Sequence, residues 1–179
     1  MISTVSGNAQ LRLIEAAVAC RVRRFAPAEF EGRPALRGQP MPDILERQRA
    51  TALAYLRHYQ GHIQSTVFVC GMLYERFSVN GLAAHGMGVN LGCSNEGDYI
   101  ANIRNMTAQA PVYDANNNLA SLCITSARDV ARFVVRALGM AHWPSELSMC
   151  GQRLTVNQLM QIIEQCRGTY PILPDQGDG

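Results

Sequence analysis

The feature of this sequence that most constrains its fold is a short strand ended by a proline, directly after an amphipathic helix. The strand is Val22 to Ala26, and Pro27 ends it because proline has no N–H for a ladder and a fixed φ. Met1 to Val5 has strand character from its second residue. Between the two strands, apolar side chains recur at helical spacing, at Leu11, Ile14, Ala17 and Val18. This order predicts a βαβ unit with parallel strands and a right-handed crossover.

The residues that follow this strand are the first candidates for a binding site. In open α/β sheets, ligands bind outside the carboxyl ends of the strands. Ala28, Glu29 and Phe30 come directly after Pro27, so we expect them at the mouth of a binding crevice. Glu29 fits two interpretations, an acid or base at the site and a surface carboxylate beside the nearby arginines.

The rest of the chain continues the alternation of helices and strands, with glycine-rich and proline-rich loops between them. Asp43 and Glu46 predict a capping box that opens a helix, followed by a buried strand at Thr66 to Cys70 and a long mobile loop at Asn80 to Gly97. Next we expect a hairpin of Pro111 to Tyr113 with Leu119 to Thr125, and a helix from Ser126 and Asp129 to Leu138. The last predicted elements are a strand at Leu147 to Cys150 and a helix capped by Thr155 with Gln158. This order indicates an α/β protein and no particular reaction.

The charged residues exclude several functions. The formal net charge is only +2, which argues against a nucleic-acid-binding surface. All 16 basic residues are arginines, so the sequence excludes a Walker phosphate loop, a Schiff-base lysine and the Tyr-x-x-x-Lys pair of short-chain dehydrogenases. The one tight basic cluster is Arg21, Arg23 and Arg24, and we interpret it as a solvated edge of the strand.

The cysteines indicate the compartment. The chain has six, scattered along the sequence and without a C-x-x-C pair. Several lie in apolar runs, which favours reduced, buried thiols over disulfides. No apolar run approaches the roughly 20 residues of a membrane-spanning helix, and no signal peptide is visible. We therefore expect a cytoplasmic protein that does not contact a membrane.

Local motifs for phosphate or metal binding are weak. Gly86 to Gly92 resembles a dinucleotide fingerprint, but its third glycine comes one place late and no strand runs into it. His58 and His62 have an i, i+4 spacing, yet Gly61 weakens a helix there, and we expect no metal site. No G-x-S-x-G motif of a serine hydrolase is present. Trp143 is interpreted as a packing residue.

Four stretches, in order along the chain, resemble the NmrA-like and isoflavone-reductase-like family, an atypical branch of the short-chain dehydrogenases, in its fungal form. They are I-S-T-V-S-G at Ile2 to Gly7, R-F-A-P-A-E-F at Arg24 to Phe30, S-A-R-D-V-A-R-F-V-V-R-A-L at Ser126 to Leu138, and R-L-T-V-N-Q-L at Arg153 to Leu159. The resemblance implies a partial Rossmann-like parallel sheet with a small C-terminal substrate-binding region. It implies a remnant of the NAD(P)-binding domain at residues 1–70, a substrate-binding region at 71–168 and a tail at 169–179.

The resemblance also implies a cofactor site for NADP. Ser3, Thr4 and Val5 would line the ribose side of the cofactor, and Phe30 would lie beside the nicotinamide. The chain begins where the family's fourth strand begins, so the glycine-rich first turn is absent from it. The helix N-terminus at that turn normally holds the pyrophosphate. We therefore expect this chain to bind NADP weakly or not at all.

The remaining implied residues concern substrate and catalysis. Met72, Leu73 and Tyr74 would face a small-molecule substrate. Reductases of the family use a lysine in the helix after the E-F-G turn, and the matching position here is Arg49. A guanidinium stays protonated, so Arg49 could polarise an oxygen but could hardly shuttle a proton.

An open edge of the sheet predicts self-association. In the family's strand order, the strand at Met1 to Val5 pairs with the first strand, which this chain lacks. Its outer edge would expose unpaired backbone groups, and it contains no charged residue or proline to prevent pairing. We therefore expect a homodimer, aggregates, or fraying of the first residues.

Three functions are compatible with these motifs and with the resemblance. The first is an NAD(P)-dependent oxidoreductase-type protein that acts on a small carbonyl, enone or aromatic metabolite in secondary metabolism. The second is a non-enzymatic regulatory or redox-sensor-like protein. The third is a cofactor-free isomerase or lyase that uses the same pocket. The missing phosphate-binding turn favours the last two, and the resemblance to pathway enzymes favours the first.

Overall fold

The computed structural model of the chain describes residues 1–5, 7–28, 30, 49–87, 94–98 and 100–167, without the side chains of residues 49, 50 and 167. The chain forms two compact units. The first unit consists of Met1–Cys70 and Ala131–Met149, and the second unit consists of Gly71–Val130 and Cys150–Gly179. Four sequence predictions lie outside the described residues. They concern Glu29, the capping box of Asp43 and Glu46, residues 88–92 of the glycine-rich stretch, and the tail at 169–179.

The strands of the first unit form two parallel pairs. Ile2 makes an isolated parallel bridge with Ala26. Strand β1, Arg24–Phe25, pairs in parallel with β2, Gln64–Ser65. Strand β3, Val67–Val69, pairs in parallel with β8, Glu146–Ser148. Helix α1, Gly7–Ala19, connects the bridge to β1, and α2, Arg49–His58, precedes β2. The predicted α/β fold with parallel strands is confirmed.

The strands are shorter than the sequence predicted. Of the segment Met1 to Val5, only Ile2 is paired, through its bridge to Ala26. The strand predicted at Leu147 to Cys150 is instead Glu146–Ser148. Both shifts come from pairing, because a strand ends where its neighbour stops offering hydrogen-bond partners.

The apolar faces of α1 and α2 form much of the core of the first unit. On α1, Ile14 and Ala17 are buried on the predicted face, and β3 is buried along its whole length, as predicted. Burying one large apolar side chain stabilises a fold by about 1.5–3 kcal/mol, so this cluster holds the two helices on the strands. Its members are Ile14, Ala17, Phe25, Ala52, Leu56 and Ile63.

The interpretation of the arginine cluster as a solvated edge is wrong for Arg24. Its Nη1 donates to the carbonyl oxygen of Leu138 at 2.8 Å. Its Nη2 donates to the carbonyl oxygens of Met140 at 2.6 Å and Ala141 at 2.9 Å. These carbonyls belong to the residues that follow helix α3, Ala127–Ala137. Arg24 therefore caps the turn after α3 from β1.

Trp143 packs beside this cap. Its indole Nε1 donates to the carbonyl oxygen of Ala137 at 2.8 Å. Its ring meets that of Phe68 edge-on, with the centroids 5.7 Å apart. The interpretation of Trp143 as a packing residue is confirmed.

A three-stranded sheet forms the centre of the second unit. Its middle strand is β7, Ser121–Thr125, which pairs in parallel with β4, Met72–Leu73, and antiparallel with β9, Gln152–Thr155. A separate antiparallel pair consists of β5, Ala101–Asn102, and β6, Thr107–Ala108. Helix α4, Val156–Arg167, follows β9 directly. The buried side chains come from strands, turns and α4, at Ile100, Ala101, Ile103, Ile124, Leu154, Val156, Leu159, Met160 and Ile163.

The predicted caps of the second unit are confirmed, whereas the predicted hairpin forms only next to its turn, because β7 pairs with β4 and β9 instead. Before α3, the hydroxyl of Ser126 accepts the N–H of Asp129 at 3.0 Å. Before α4, the hydroxyl of Thr155 accepts the N–H of Gln158, whose side chain accepts the Thr155 N–H in return. The hairpin closes through an antiparallel bridge between Tyr113 and Leu119.

The long loop predicted at Asn80 to Gly97 is wrong for its first part. A 3₁₀ helix at Tyr74–Phe77 precedes the predicted loop, and a second one, Gly81–His85, lies inside it. The N–H of Gly86 donates to the carbonyl oxygen of Ala83 at 3.0 Å, which closes the second of them. Short helices of this kind form through i+3 hydrogen bonds, which glycine content alone does not predict. None of the helices among the described residues is long and apolar enough to cross a membrane.

The expectation of reduced, buried cysteines is wrong for one pair. Cys123 on β7 and Cys150, two residues before β9, form a disulfide with 5.6 Å between their Cα atoms. The pairing of β7 with β9 brings them together, which no local spacing reveals. Among the free cysteines of the described residues, Cys70 is buried, whereas Cys20 and Cys166 are exposed.

Candidate functional site

The carboxyl end of the parallel strands in the first unit carries the residues predicted to bind a cofactor. Ser3 follows the bridge at Ile2, and its N–H donates to the carbonyl oxygen of Ala26 at 2.8 Å. Its hydroxyl donates to the carbonyl oxygen of Val5 at 2.9 Å and accepts the Val5 N–H at 3.3 Å. Ser3 is only 1% exposed. Its side chain thus shapes the turn, and the exposed side chains at this end are Thr4 and Val5.

The next strand end is fixed by a buried amide on α1. The Oε1 of Gln10 accepts the N–H of Ala28 at 2.6 Å. Gln10 is fully buried, and its Nε2 has no hydrogen-bond partner among the described residues. Sequence reasoning missed Gln10, although it precedes Ile14 and Ala17 at helical spacing and so lies on the buried face of α1. A polar residue at such a position was the signal.

Phe30 lies over the end of β3. Its carbonyl oxygen accepts the N–H of Cys70 at 2.9 Å and the Cys70 thiol at 2.7 Å. Its ring stacks on that of Phe68, with the centroids 5.9 Å apart and the planes 13° from parallel. Phe30 and the turn at Ser3 therefore lie at the same edge of the sheet, because parallel strands have their carboxyl ends on one side.

Arg49, the candidate catalytic residue, is the first described residue of α2. Its side chain lies outside the described part of the chain. Its role therefore stays a prediction.

The residues predicted to contact substrate lie together in the second unit. Met72 and Leu73 are half-buried on β4, where they pair with Ile124 and Thr125. Tyr74 starts the following 3₁₀ helix and is 39% exposed. Its hydroxyl donates to Oε1 of Gln152 at 2.8 Å.

Glu75 anchors this segment and was missed by sequence reasoning. Both of its carboxylate oxygens accept the N–H of Ala127, at 2.9 and 3.1 Å. Ala127 is the first residue of α3, where an anion also complements the helix dipole. The segment Met72 to Glu75 is thus held at one end by β7 and at the other by the start of α3.

A polar cleft also occurs in the second unit, with a volume of about 380 Å³. Its wall includes Glu96, which is buried and whose Oε1 accepts the N–H of Asn80 at 2.8 Å. Within the described residues, no group of three or more histidine, cysteine or acidic side chains is placed to hold a metal ion. The cleft is lined by Asn80, Ala83, Asn95, Glu96, Asp98, Asn102 and Arg104.

Comparison with known sequences finds no matching family model and no matching curated protein. Solved structures do match the fold. The structure described as AtPrR2 with NADP+ and (+)pinoresinol has a TM-score of 0.66 at 20% identity, over 97% of this chain and 54% of that one. A UDP-N-acetylglucosamine 4-epimerase from Methanobrevibacter ruminantium M1, in complex with UDP-N-acetylmuramic acid, has a TM-score of 0.55 at 14% identity, over 96% of this chain and 56% of that one.

A third similar structure is a dTDP-glucose 4,6-dehydratase from Bacillus anthracis in complex with NAD. It has a TM-score of 0.52 at 11% identity, over 98% of this chain and 60% of that one. This chain therefore spans little more than half the length of the solved structures that it resembles. At these identities the likeness establishes the fold, which is Rossmann-like α/β.

Proposed function

We propose that this chain is part of an NAD(P)-dependent oxidoreductase-type protein of the NmrA-like and isoflavone-reductase-like kind. Its substrate would be a small carbonyl, enone or aromatic metabolite. The observation that carries the proposal is the common edge formed by Thr4, Val5 and Phe30 at the carboxyl ends of parallel strands. Similar folds have been solved with NADP+ and with NAD.

The groups at this edge suit the nicotinamide half of a dinucleotide. Phe30 offers a flat, half-buried ring whose orientation Phe68 fixes by stacking. Ala28, held by Gln10, contributes only a methyl group to this edge. The described residues at this edge, Ser3 to Val5, Ala28 and Phe30, carry no charge, and an uncharged surface is compatible with an aromatic ring.

The cofactor and the protein would have separate roles in such a site. The nicotinamide, when bound, provides the hydride chemistry. The residues of this chain would orient it, with Phe30 against the ring and with Thr4 and Val5 beside the ribose. Met72, Leu73 and Tyr74 would contact the substrate. The Tyr74 oxygen keeps lone pairs that could accept a hydrogen bond from a substrate hydroxyl.

A second candidate function is regulatory. It rests on Arg49, which stands where the enzymes of the family have a lysine. An arginine there would hold an oxygen without exchanging its proton at neutral pH. A chain that binds a dinucleotide and does not turn it over would act as a sensor.

Fragment binding tests the proposed site. Reduced nicotinamide mononucleotide added to the isotope-labelled protein should shift the amide resonances of Thr4, Val5 and Phe30. Adenosine monophosphate should leave them unchanged, since the proposed edge serves the nicotinamide half. Phe30→Leu should weaken mononucleotide binding about fivefold, because ring stacking is lost. Phe133→Leu, a change at a half-buried phenylalanine on α3, should not.

Several results would remove the cofactor site. They are the absence of any shift at millimolar mononucleotide, equal shifts with the adenosine fragment, and equal weakening by both phenylalanine variants. Where the mononucleotide binds as expected, NADPH oxidation with simple enones separates the two functions. Turnover supports the reductase, and binding without turnover supports the sensor.

A further inference from the structure

The Cys123–Cys150 disulfide lies next to the residues that hold Tyr74. Cys150 is exposed and is followed by Gly151 and then by Gln152, the first residue of β9. Gln152 accepts the hydrogen bond of the Tyr74 hydroxyl at 2.8 Å. A single residue, Gly151, therefore separates the disulfide from the partner of Tyr74.

Gly151 fits closely between the sheet and Tyr74. A Cβ atom at this position would lie 2.8 Å from the carbonyl oxygen of Ile124 and 3.7 Å from the Tyr74 ring. The N–H of Gly151 donates to the Thr125 hydroxyl at 3.2 Å. Within the described part of the chain, the disulfide and this long hydrogen bond to a side chain thus both hold the turn of Cys150 and Gly151 on β7.

The rest of the β7–β9 ladder does not depend on this turn. The register runs from Ser121 opposite Thr155 to Ile124 opposite Gln152. Gln152 and Ile124 form the terminal pair of this ladder, and the end of a ladder opens more readily than its middle. Loss of the covalent bond would therefore free Gln152 first, while Leu122 and Cys123 stay paired with Leu154 and Arg153.

We propose that the Cys123–Cys150 disulfide is a redox-sensitive clasp that holds Gln152 against Tyr74. In the oxidised state the Tyr74 hydroxyl is fixed by Gln152. In the reduced state the turn of Cys150 and Gly151 leaves β7, and the Tyr74 ring is free to rotate. The effect on a substrate rests on the proposed function, whereas the conformational step itself does not.

The opening reaction is a thiol–disulfide exchange with a dithiol as the reductant. One thiolate of the dithiol attacks the sulfur of Cys150, an exposed residue, and Cys123 leaves as a thiolate that takes up a proton. The second thiol of the reductant then displaces Cys150 and closes a cyclic disulfide. Two electrons and two protons pass to the protein, which ends with two thiols, and the dithiol ends oxidised.

Reduction of the intact protein by dithiothreitol tests the clasp without any ligand. With 3-fluorotyrosine in place of the six tyrosines, Tyr74→Phe assigns the resonance of Tyr74. Reduction should move this resonance toward the position of free fluorotyrosine. Hydrogen exchange at Gly151 and Gln152 should rise about tenfold or more, while exchange at Leu122 and Leu154 stays within about twofold.

Cys150→Ser should behave like the reduced protein with and without dithiothreitol. Cys20→Ser, a change at an exposed free cysteine, should behave like the wild type.

The clasp is overturned if the purified protein contains no disulfide, or if reduction leaves the Tyr74 resonance and the Gly151 exchange unchanged. It is also overturned if reduction abolishes the circular dichroism of the whole chain, since the disulfide would then be a general crosslink. Should Cys150→Ser fail to fold, reduction of the wild type still decides. Because no cofactor is used, failure of the nicotinamide site and failure of the clasp are distinguishable.

Discussion

The guanidinium carbon of Arg24 lies 5.4 Å from the centroid of the Trp143 ring. The same guanidinium donates to three backbone carbonyls after α3, and Trp143 donates to a fourth. The three hydrogen bonds of Arg24 thus join β1 to the turn after α3, and its contact with Trp143 links this turn to the last residue of α3. A lysine has neither the planar face nor the fork of donors for this arrangement.

Arg24→Lys should therefore destabilise the chain by about 2 kcal/mol, and Arg24→Ala by more, because hydrogen bonds from a charged donor are lost. Urea unfolding followed by circular dichroism measures the change. The matched control is Arg23→Lys, a change at an exposed neighbour, which should stay within about 0.5 kcal/mol of the wild type. Equal effects at the two arginines would contradict the capping role.

Glu75→Gln should weaken the start of α3. The charged carboxylate accepts the Ala127 N–H with both oxygens, and loss of a capping acceptor of this kind costs about 1 kcal/mol. Amide exchange at Ala127 and Arg128 should rise, while exchange in α4 should not. Glu15→Gln, a change at an exposed position of α1, serves as the control. Unchanged exchange at Ala127 would show that the cap contributes nothing.

The turn at Asp114 should respond to acid. The backbone N–H of Asn118 lowers the pKa of Asp114 below its usual value, and burial opposes this effect. The backbone N–H of Asn116 and the side-chain amide of Asn118 lower the pKa further. Because the folded pKa is depressed, the stabilisation is present above the unfolded pKa of about 3.9 and is lost as pH falls through the folded pKa. Carboxyl chemical shifts measure the titration, and Asp114→Asn should remove this contribution. A midpoint at or above the unfolded value would refute the prediction.

The isolated chain should associate through the edge at Ile2. Within the described residues, Ile2 is bridged only to Ala26, and Ile2 and Val5 are 38% and 41% exposed. An open, uncharged edge pairs with another chain, so Ile2→Lys should convert dimers to monomers in size-exclusion chromatography with light scattering. Val79→Lys, at an exposed site of the second unit, should not. A monomeric wild type whose Ile2 to Val5 amides are strongly protected from exchange would show that this edge is covered in another way.

Arg49 should tolerate lysine better than alanine if it orients an oxygen. Arg49→Lys should preserve or improve any NADPH-dependent turnover, and Arg49→Ala should lower it about tenfold or more, because a charged donor to the reacting oxygen is lost. Arg57→Ala, at an exposed position of α2, is the control. Equal turnover in wild type, lysine and alanine variants would remove Arg49 from the site.

Features that depend on neighbours in sequence could be predicted, and features that depend on distant pairing could not. The Ser126 and Thr155 caps act over three residues, and the buried face of α1 repeats every turn. The disulfide joins cysteines 27 residues apart, and it requires a register of β7 and β9 that no local pattern specifies. The resemblance named Tyr74, but only the folded chain brings Gln152 to its hydroxyl.

The reach of Arg24 bears on how the protein is made. Its carbonyl partners lie 114 to 117 residues further along the chain, and β3 likewise waits for β8 to arrive. During synthesis, the first unit would stay incomplete until Ala141 and Glu146 leave the ribosome. Contacts of such sequence separation form slowly, and unpaired strands are prone to aggregate meanwhile. A chain truncated before Leu138 would lack the carbonyl partners of Arg24 and the strand that pairs with β3, and chaperones would meet this protein with β3 still unpaired.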